Sequence, residues 1–125
     1  MKVHEAGRET SHLNDIIAGK KIIEGRLARG KFVDFEKGDL IKLREDVYRN
    51  GILVNTIPNR LTTRVTKVER FSTFRDMLET VDYKKVLPRA KSLGDAISEY
   101  WRYYTPAEEK VFGVLAIHFE IYKTH

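Results

Sequence analysis

Residues 19–31 read GKKIIEGRLARGK, and their reading decides how the chain begins to fold. Upstream, Leu13, Ile16 and Ile17 recur at i, i+3 and i+4, the pattern of one helical face. Gly19 then stands where a left-handed residue ends a helix. The segment KIIEGRL that follows is rich in β-branched residues and reads as a strand. With KVHEA as a short strand near the start, the order is strand, helix, strand. The same stretch gathers Lys20, Lys21, Arg26, Arg29 and Lys31 around a single carboxylate, Glu24.

Downstream the pattern is mostly strands joined by tight turns. FEKGD is a turn with Gly38 as its left-handed position. In LIKLRE, Leu40, Lys42 and Arg44 alternate with Ile41, Leu43 and Glu45. Asn50-Gly51 in YRNGIL signals a hairpin, and Pro58 is expected to end that excursion. LTTRVTKVERF is a β-branched strand, and Ser72 or Thr73 caps a short helix carrying Phe74, Met77 and Leu78. DYKKVLP reads as a turn closed by Pro88. Ser92 to Asp95 resembles a capping box, opening a helix with Leu93, Ala96, Ile97, Tyr100, Trp101 and Tyr104 on one stripe. Thr105-Pro106 is expected to end that helix, and Thr10 or Ser11 to cap the first one. VFGVLAIHFEIY is nearly continuous in apolar residues, as a strand buried on both faces would be. Two or three helices inserted among hairpin-linked strands predict an α+β fold, a small mixed β-barrel with helices packed on the outside. No linker interrupts the chain, so residues 1–125 are read as one domain.

Composition narrows the function classes. There is no cysteine, which excludes disulfides and thiolate metal sites and suits a reducing compartment. His4, His12, His118 and His125 lack ligand spacing, so neither a metal nor a cofactor is expected. No apolar run opens the chain and none is long enough to span a bilayer, so no signal peptide and no membrane association are expected, and the cytoplasm is the expected location. The net charge of +5 is modest, but it collects in residues 19–31 and again at Lys84, Lys85, Arg89 and Lys91. Local cation clusters are the footprint of phosphate-bearing partners, or else a solvated basic face.

Within these clusters, Lys21 comes just after the helix end and can project over the mouth of a barrel. There it would offer donors to a phosphate and would tolerate charge reversal. Glu24 and Arg26 are two apart on a strand and share a face. They form either a structural ion pair or a carboxylate that orients cations for a phosphate. Arg29 and Lys31 flank Gly30 in a loop suited to backbone contacts. Arg89 and Lys91 precede the Ser92 helix. Tyr103 falls off the apolar stripe and is the candidate to stack on an unpaired base.

In order along the chain, AGKKIIEGRL, FEKGDLIKL, VTKVERFSTFRDML, VLPRAKSLGDAISEYWRYYTPAEE and FGVLAIHF resemble the ASCH family, the activating-signal-cointegrator homology domains of the PUA-like superfamily. Its most specific part is Gly19, Lys21, Glu24 and Arg26 in a Gly-x-Lys-x-x-Glu-x-Arg pattern. The resemblance implies a PUA-like β-barrel with a cleft beside the first helix, into which the motif side chains look. It also implies binding of RNA or a nucleotide, and the residues read as candidates to carry it, for a ligand more naturally single-stranded, are Lys20, Lys21, Arg26, Arg29, Lys31, Arg89, Lys91 and Tyr103. The alternative is a metal-independent ribonuclease or nucleoside hydrolase with Lys21, Glu24 and Tyr104 in its active site. A third reading is a protein-interaction module. The superfamily's small bacterial amidohydrolases that act on modified cytidine carry a threonine where Glu24 stands and a glutamate about where Arg89 stands, so that reaction is disfavoured.

Overall fold

The structure is a computed structural model and describes residues 1–125. Strand β1 (Val3–Glu9) runs directly into helix α1 (Thr10–Ile17), and β2 (Ile23–Leu27) comes after the turn at Gly19, whose φ is +76°. After a 3₁₀ turn (Gly30–Asp34), β3 (Leu40–Arg49) and β4 (Ile52–Phe71) form a long hairpin. Asn50 and Gly51 take φ of +53° and +77° at its tip, the left-handed pair that a two-residue hairpin turn needs. Four short helices come next: α2 (Phe74–Val81), α3 (Tyr83–Val86), α4 (Leu93–Trp101) and α5 (Pro106–Phe112). Strand β5 (Val114–Thr124) closes the chain.

The strands form one sheet in the order β1-β3-β4-β5-β2, and only β1 and β3 are parallel. The class is α+β, as the pattern predicts. The predicted barrel is corrected to an open sheet, because β1 and β2 are its two edges and no backbone ladder joins them. The strands at the two edges are those that α1 connects. Side chains meet across the gap instead: Arg8 at the end of β1 and Glu24 on β2 approach to 3.2 Å.

Two apolar clusters hold the sheet. Leu13 and Ile16 of α1 pack with Ile41, Leu43, Leu61, Val65 and Ile117. Phe74, Met77 and Leu78 of α2 and Ala96 and Ile97 of α4 pack with Ile23, Leu27 and Val114. Alternate residues of β5 enter both clusters, which explains its unbroken apolar sequence. Each such buried Leu, Ile or Phe contributes about 1.5–3 kcal/mol.

Local departures have physical causes. Thr105-Pro106 starts a helix rather than ending one. Thr105 Oγ1 accepts from the Glu108 amide at 3.2 Å, Glu108 Oε1 accepts from the Thr105 amide at 3.0 Å, and Pro106 occupies the first helical position. Pro58 does not end its strand. The register passes from Glu45↔Ile57 to Leu43↔Leu61 across a bulge, with Asn59 at φ +53°, so the proline sits where the ladder is already broken. Helix α1 has Glu9 at its N-cap with no side-chain cap, and Thr10, already its first helical residue, donates from Oγ1 to Glu45 Oε2 at 2.7 Å. DYKKVLP contains the short α3, capped by Asp82. Ser92 caps α4 as expected, but the shorter Asp95 side chain returns its bond to the Lys91 amide.

Candidate functional site

The open edge between β1 and β2 is where Lys21, Glu24 and Arg26 meet. Glu24 projects from β2 into this gap and is surrounded. Its Oε2 lies 3.2 Å from Arg8 Nε and 3.4 Å from Lys21 Nζ, and its Oε1 lies 3.3 Å from Arg26 Nε. Glu24 and Arg26 share a face because they are two apart on β2. Between them Gly25 lets α4 come close: a Cβ there would sit 2.6 Å from both Met77 Cε and Tyr100 Oη.

Lys21 is not at a solvated mouth. It is 1% exposed, donates to the Val86 carbonyl at 2.5 Å and the Ile23 carbonyl at 3.2 Å, and forms an ion pair with Glu24. Two of its donors are therefore taken by backbone carbonyls and its charge is paired with Glu24. The expectation that it would tolerate charge reversal is corrected accordingly. The cause is the chain reversal after Gly19, which turns Lys21 inward beneath α3. Arg8 is 6% exposed and its guanidinium donates to the Gly7 carbonyl at 2.8 Å. The side chain of Arg26 is 28% exposed and lies 5.0 Å over the Phe32 ring. Arg8 Nε, Glu24 Oε2 and Arg26 Nε are within ion-pair distance, yet none has a well-directed hydrogen bond. Buried donors left in that state cost stability and retain capacity for another acceptor.

Ionisation is a consequence of this packing. Burial works to raise the Glu24 pKa, but Arg8, Lys21 and Arg26 together outweigh it and hold the carboxyl well below the usual carboxylate range. Burial lowers the Lys21 ammonium, with Glu24 opposing and Arg8 assisting. Burial, helped by Lys21, also lowers His12, which favours a neutral imidazole.

Above the cluster lies a cleft of about 810 Å³. Tyr100, Tyr103 and Tyr104 line it from the α4 end, and Asp46, Tyr48 and Gly51 line it from the β3–β4 hairpin. Its walls are not uniformly basic, since Glu9, Asp46 and Glu99 share them with the three cations. The sequence-predicted cations are dispersed. Arg29 pairs with Glu108 at 2.9 Å and lies over the Phe112 ring. Lys31 donates to the Glu5 carbonyl at 2.7 Å. Arg89 makes a two-bond fork to Asp15 at 2.9 and 3.2 Å beside a smaller pocket that His12 also lines. Lys20 and Lys91 are exposed and outside the cleft lining. Tyr103, 65% exposed, lines the cleft. Tyr104 also lines it, half-buried and stacked 5.3 Å from Phe74.

Sequence reasoning missed Arg8 and Tyr48. Arg8 lies in an N-terminal stretch where carboxylates outnumber cations, so charge clustering points away from it. Tyr48 reads as an ordinary hairpin residue, and only the sheet geometry brings it to the cleft.

The family model of the ASCH domain matches residues 9–123. The chain belongs to the ASCH family. This ASCH domain is also similar to two solved structures. The crystal structure of hypothetical protein PH0355 is 32% identical, with 98% of this chain and 100% of that chain covered and a TM-score of 0.79. The solution NMR structure of protein PF0455 from Pyrococcus furiosus is 33% identical, with 97% and 98% covered and a TM-score of 0.75. Comparison with curated proteins gives no match. The ASCH domain has a PUA-like fold, a class often linked to RNA binding. No helix in it is long and apolar enough to cross a membrane.

Proposed function

We propose that this ASCH domain is an RNA- or nucleotide-binding module that takes a single-stranded, phosphate-bearing ligand in the cleft over the β1–β2 gap. The observation that carries this reading is the Arg8–Lys21–Glu24–Arg26 cluster, in which two guanidinium nitrogens lack directed hydrogen bonds. Three cations around one carboxylate leave a net positive floor, and a low-dielectric surround strengthens its pull on an anion. Glu24 keeps the cations from repelling one another and fixes the direction of Arg26, whose planar fork suits phosphate oxygens. Tyr103 offers a base a face to stack on. The chain's lack of cysteine fits a cytoplasmic setting for such a ligand.

Binding is favoured over hydrolysis by the state of Lys21. Val86 and Ile23 hold two of its donors and Glu24 pairs with its charge, so it serves as a prop for the carboxylate rather than as a free acid or base. The test is fluorescence anisotropy with labelled single-stranded RNA, with and without chelator. Saturable binding with intact RNA supports the module. Chelator-resistant cleavage would replace it with the metal-independent ribonuclease reading, and neither result would point to a protein partner.

A further inference from the structure

We infer that the cleft is built to receive one anionic group, so that its ligand is a single phosphorylated nucleotide, free or at the end of a chain, and not the running backbone of a longer strand. This rests on the nucleotide-binding reading above and specifies its ligand.

Few of the cations are within a ligand's reach. Lys21 is 1% and Arg8 6% exposed, so both act as buried charge behind the surface. Arg26, with its side chain 28% exposed, is the one cation of the cluster that the cleft presents. One planar guanidinium accommodates one phosphate through paired N–H donors. The neighbouring cations that could have extended this point into a track are committed elsewhere: Arg29 to Glu108, Arg89 to Asp15, and Lys31 to a backbone carbonyl.

The walls point the same way. The lining includes four carboxylates, of which Asp46 is paired with Arg44 at 2.9 Å, Glu99 with Arg102 at 3.1 Å and Glu24 with the cluster cations, while Glu9 has no ion-pair partner. Beyond Arg26 the lining therefore offers a strand's further phosphates no exposed cation, and Glu9 adds a like charge. A nucleotide monophosphate has a complementary layout. It has one anionic end for Arg26. Its base has a π face for Tyr103, which is 65% exposed, and for Tyr48, which is 49% exposed and lines the cleft from the hairpin. Its ribose hydroxyls and base amino groups are donors, and carboxylates accept them without a second cation. The cleft volume of about 810 Å³ lies within the range usual for small-molecule sites.

The experiment uses the full chain and three probes: the four ribonucleoside 5′-monophosphates, a single-stranded RNA ten-mer with a 5′-phosphate, and the same ten-mer with a 5′-hydroxyl. The expected result is that at least one monophosphate binds. If a chain end is also accepted, the phosphorylated ten-mer binds within about threefold of it and the hydroxyl ten-mer about tenfold or more weaker. The log–log salt slope should lie near −0.7 to −1, about one phosphate. Binding of a monophosphate but of neither ten-mer supports the free nucleotide as the source. Equal binding of both ten-mers with a slope of about −2 or steeper, and no binding of monophosphates, would overturn this inference and leave the RNA-binding reading intact. No binding of any probe would overturn both. Tyr103→Ala, a change at an exposed side chain that leaves the core untouched, should weaken monophosphate binding by about fivefold or more, the scale of one lost stacking contact. Lys20→Gln and Lys91→Gln lie outside the cleft and should leave it within about twofold. A marked loss in those two, or none in Tyr103→Ala, counts against the single-nucleotide cleft.

Discussion

Glu24→Gln removes the only carboxylate held among three cations at the β1–β2 gap. The glutamate is 8% exposed and its oxygens lie 3.2–3.4 Å from Arg8, Lys21 and Arg26. At an effective dielectric near 20, each contact corresponds to about 5 kcal/mol of Coulomb attraction, largely offset by the cost of burying the charges. Glutamine keeps the shape but cancels that attraction, and the cations then repel one another. Losing one partner of a buried pair costs about 3–5 kcal/mol. Arg26 can relax toward solvent, so the lower half of that range is expected. For a domain whose whole stability is about 5–15 kcal/mol, this is a large fraction. At roughly 4 °C per kcal/mol for a chain of this size, Tm should fall by about 12–16 °C. Urea unfolding monitored by far-UV circular dichroism measures the free-energy loss and a thermal melt the Tm, with an unchanged m-value as the control for two-state behaviour. A loss below about 1 kcal/mol would refute the reasoning, because it would mean that water screens the cluster as it screens a surface salt bridge.

The same geometry sets three further outcomes. Lys21→Glu places a second carboxylate against Glu24 at a fully buried site and should abolish cooperative folding, whereas Lys21→Met should fold; thermal melts of the two decide it. Gly25→Ala forces a methyl against Met77 and Tyr100 and should cost about 1–3 kcal/mol in chemical denaturation, while the exposed Gly94→Ala should cost nothing or add stability. On acidification, the folded Glu24 pKa is depressed, so its contribution is complete above the unfolded value near 4.3 and is lost as pH falls from there toward the folded value. Wild-type stability should therefore drop below about pH 4.5, and Glu24→Gln should flatten that part of the profile.

The fold was legible where local rules and tertiary packing agree. Asn50-Gly51, Gly19 and Gly38 each needed a left-handed backbone and each has one. The alternation in β3 marks its buried Ile41 and Leu43, and the unbroken apolar run of β5 marks a strand covered on both faces. Legibility failed where one signal serves two purposes. Thr-Pro can stop one helix or start another, and only the reciprocal bonds of Thr105 and Glu108 decide which. Closure of the sheet depends on how β1 and β2 lie relative to each other, which no local pattern encodes. The site was half legible. Glu24 and Arg26 share a face because strands alternate, but the burial of Lys21 depends on the packing of α3 over it and the presence of Arg8 on that edge-to-edge geometry. Charge clustering overcounted the cations that reach the cleft for a related reason, since Glu108 and Asp15, remote in sequence, claim Arg29 and Arg89.

The most direct test of the central claim is an NMR titration of the isotope-labelled domain with the tightest-binding nucleotide probe, reading backbone amide shifts. Binding over the β1–β2 gap predicts that the largest shifts fall at Gly7, Arg8, Gly25, Arg26 and Tyr103. It also predicts that the remote cations Arg70 and Lys110, beside the groove between α2 and α5, stay still. Shifts concentrated at Arg70 and Lys110, or at Lys84 and Lys85, with the gap residues unmoved, would contradict it.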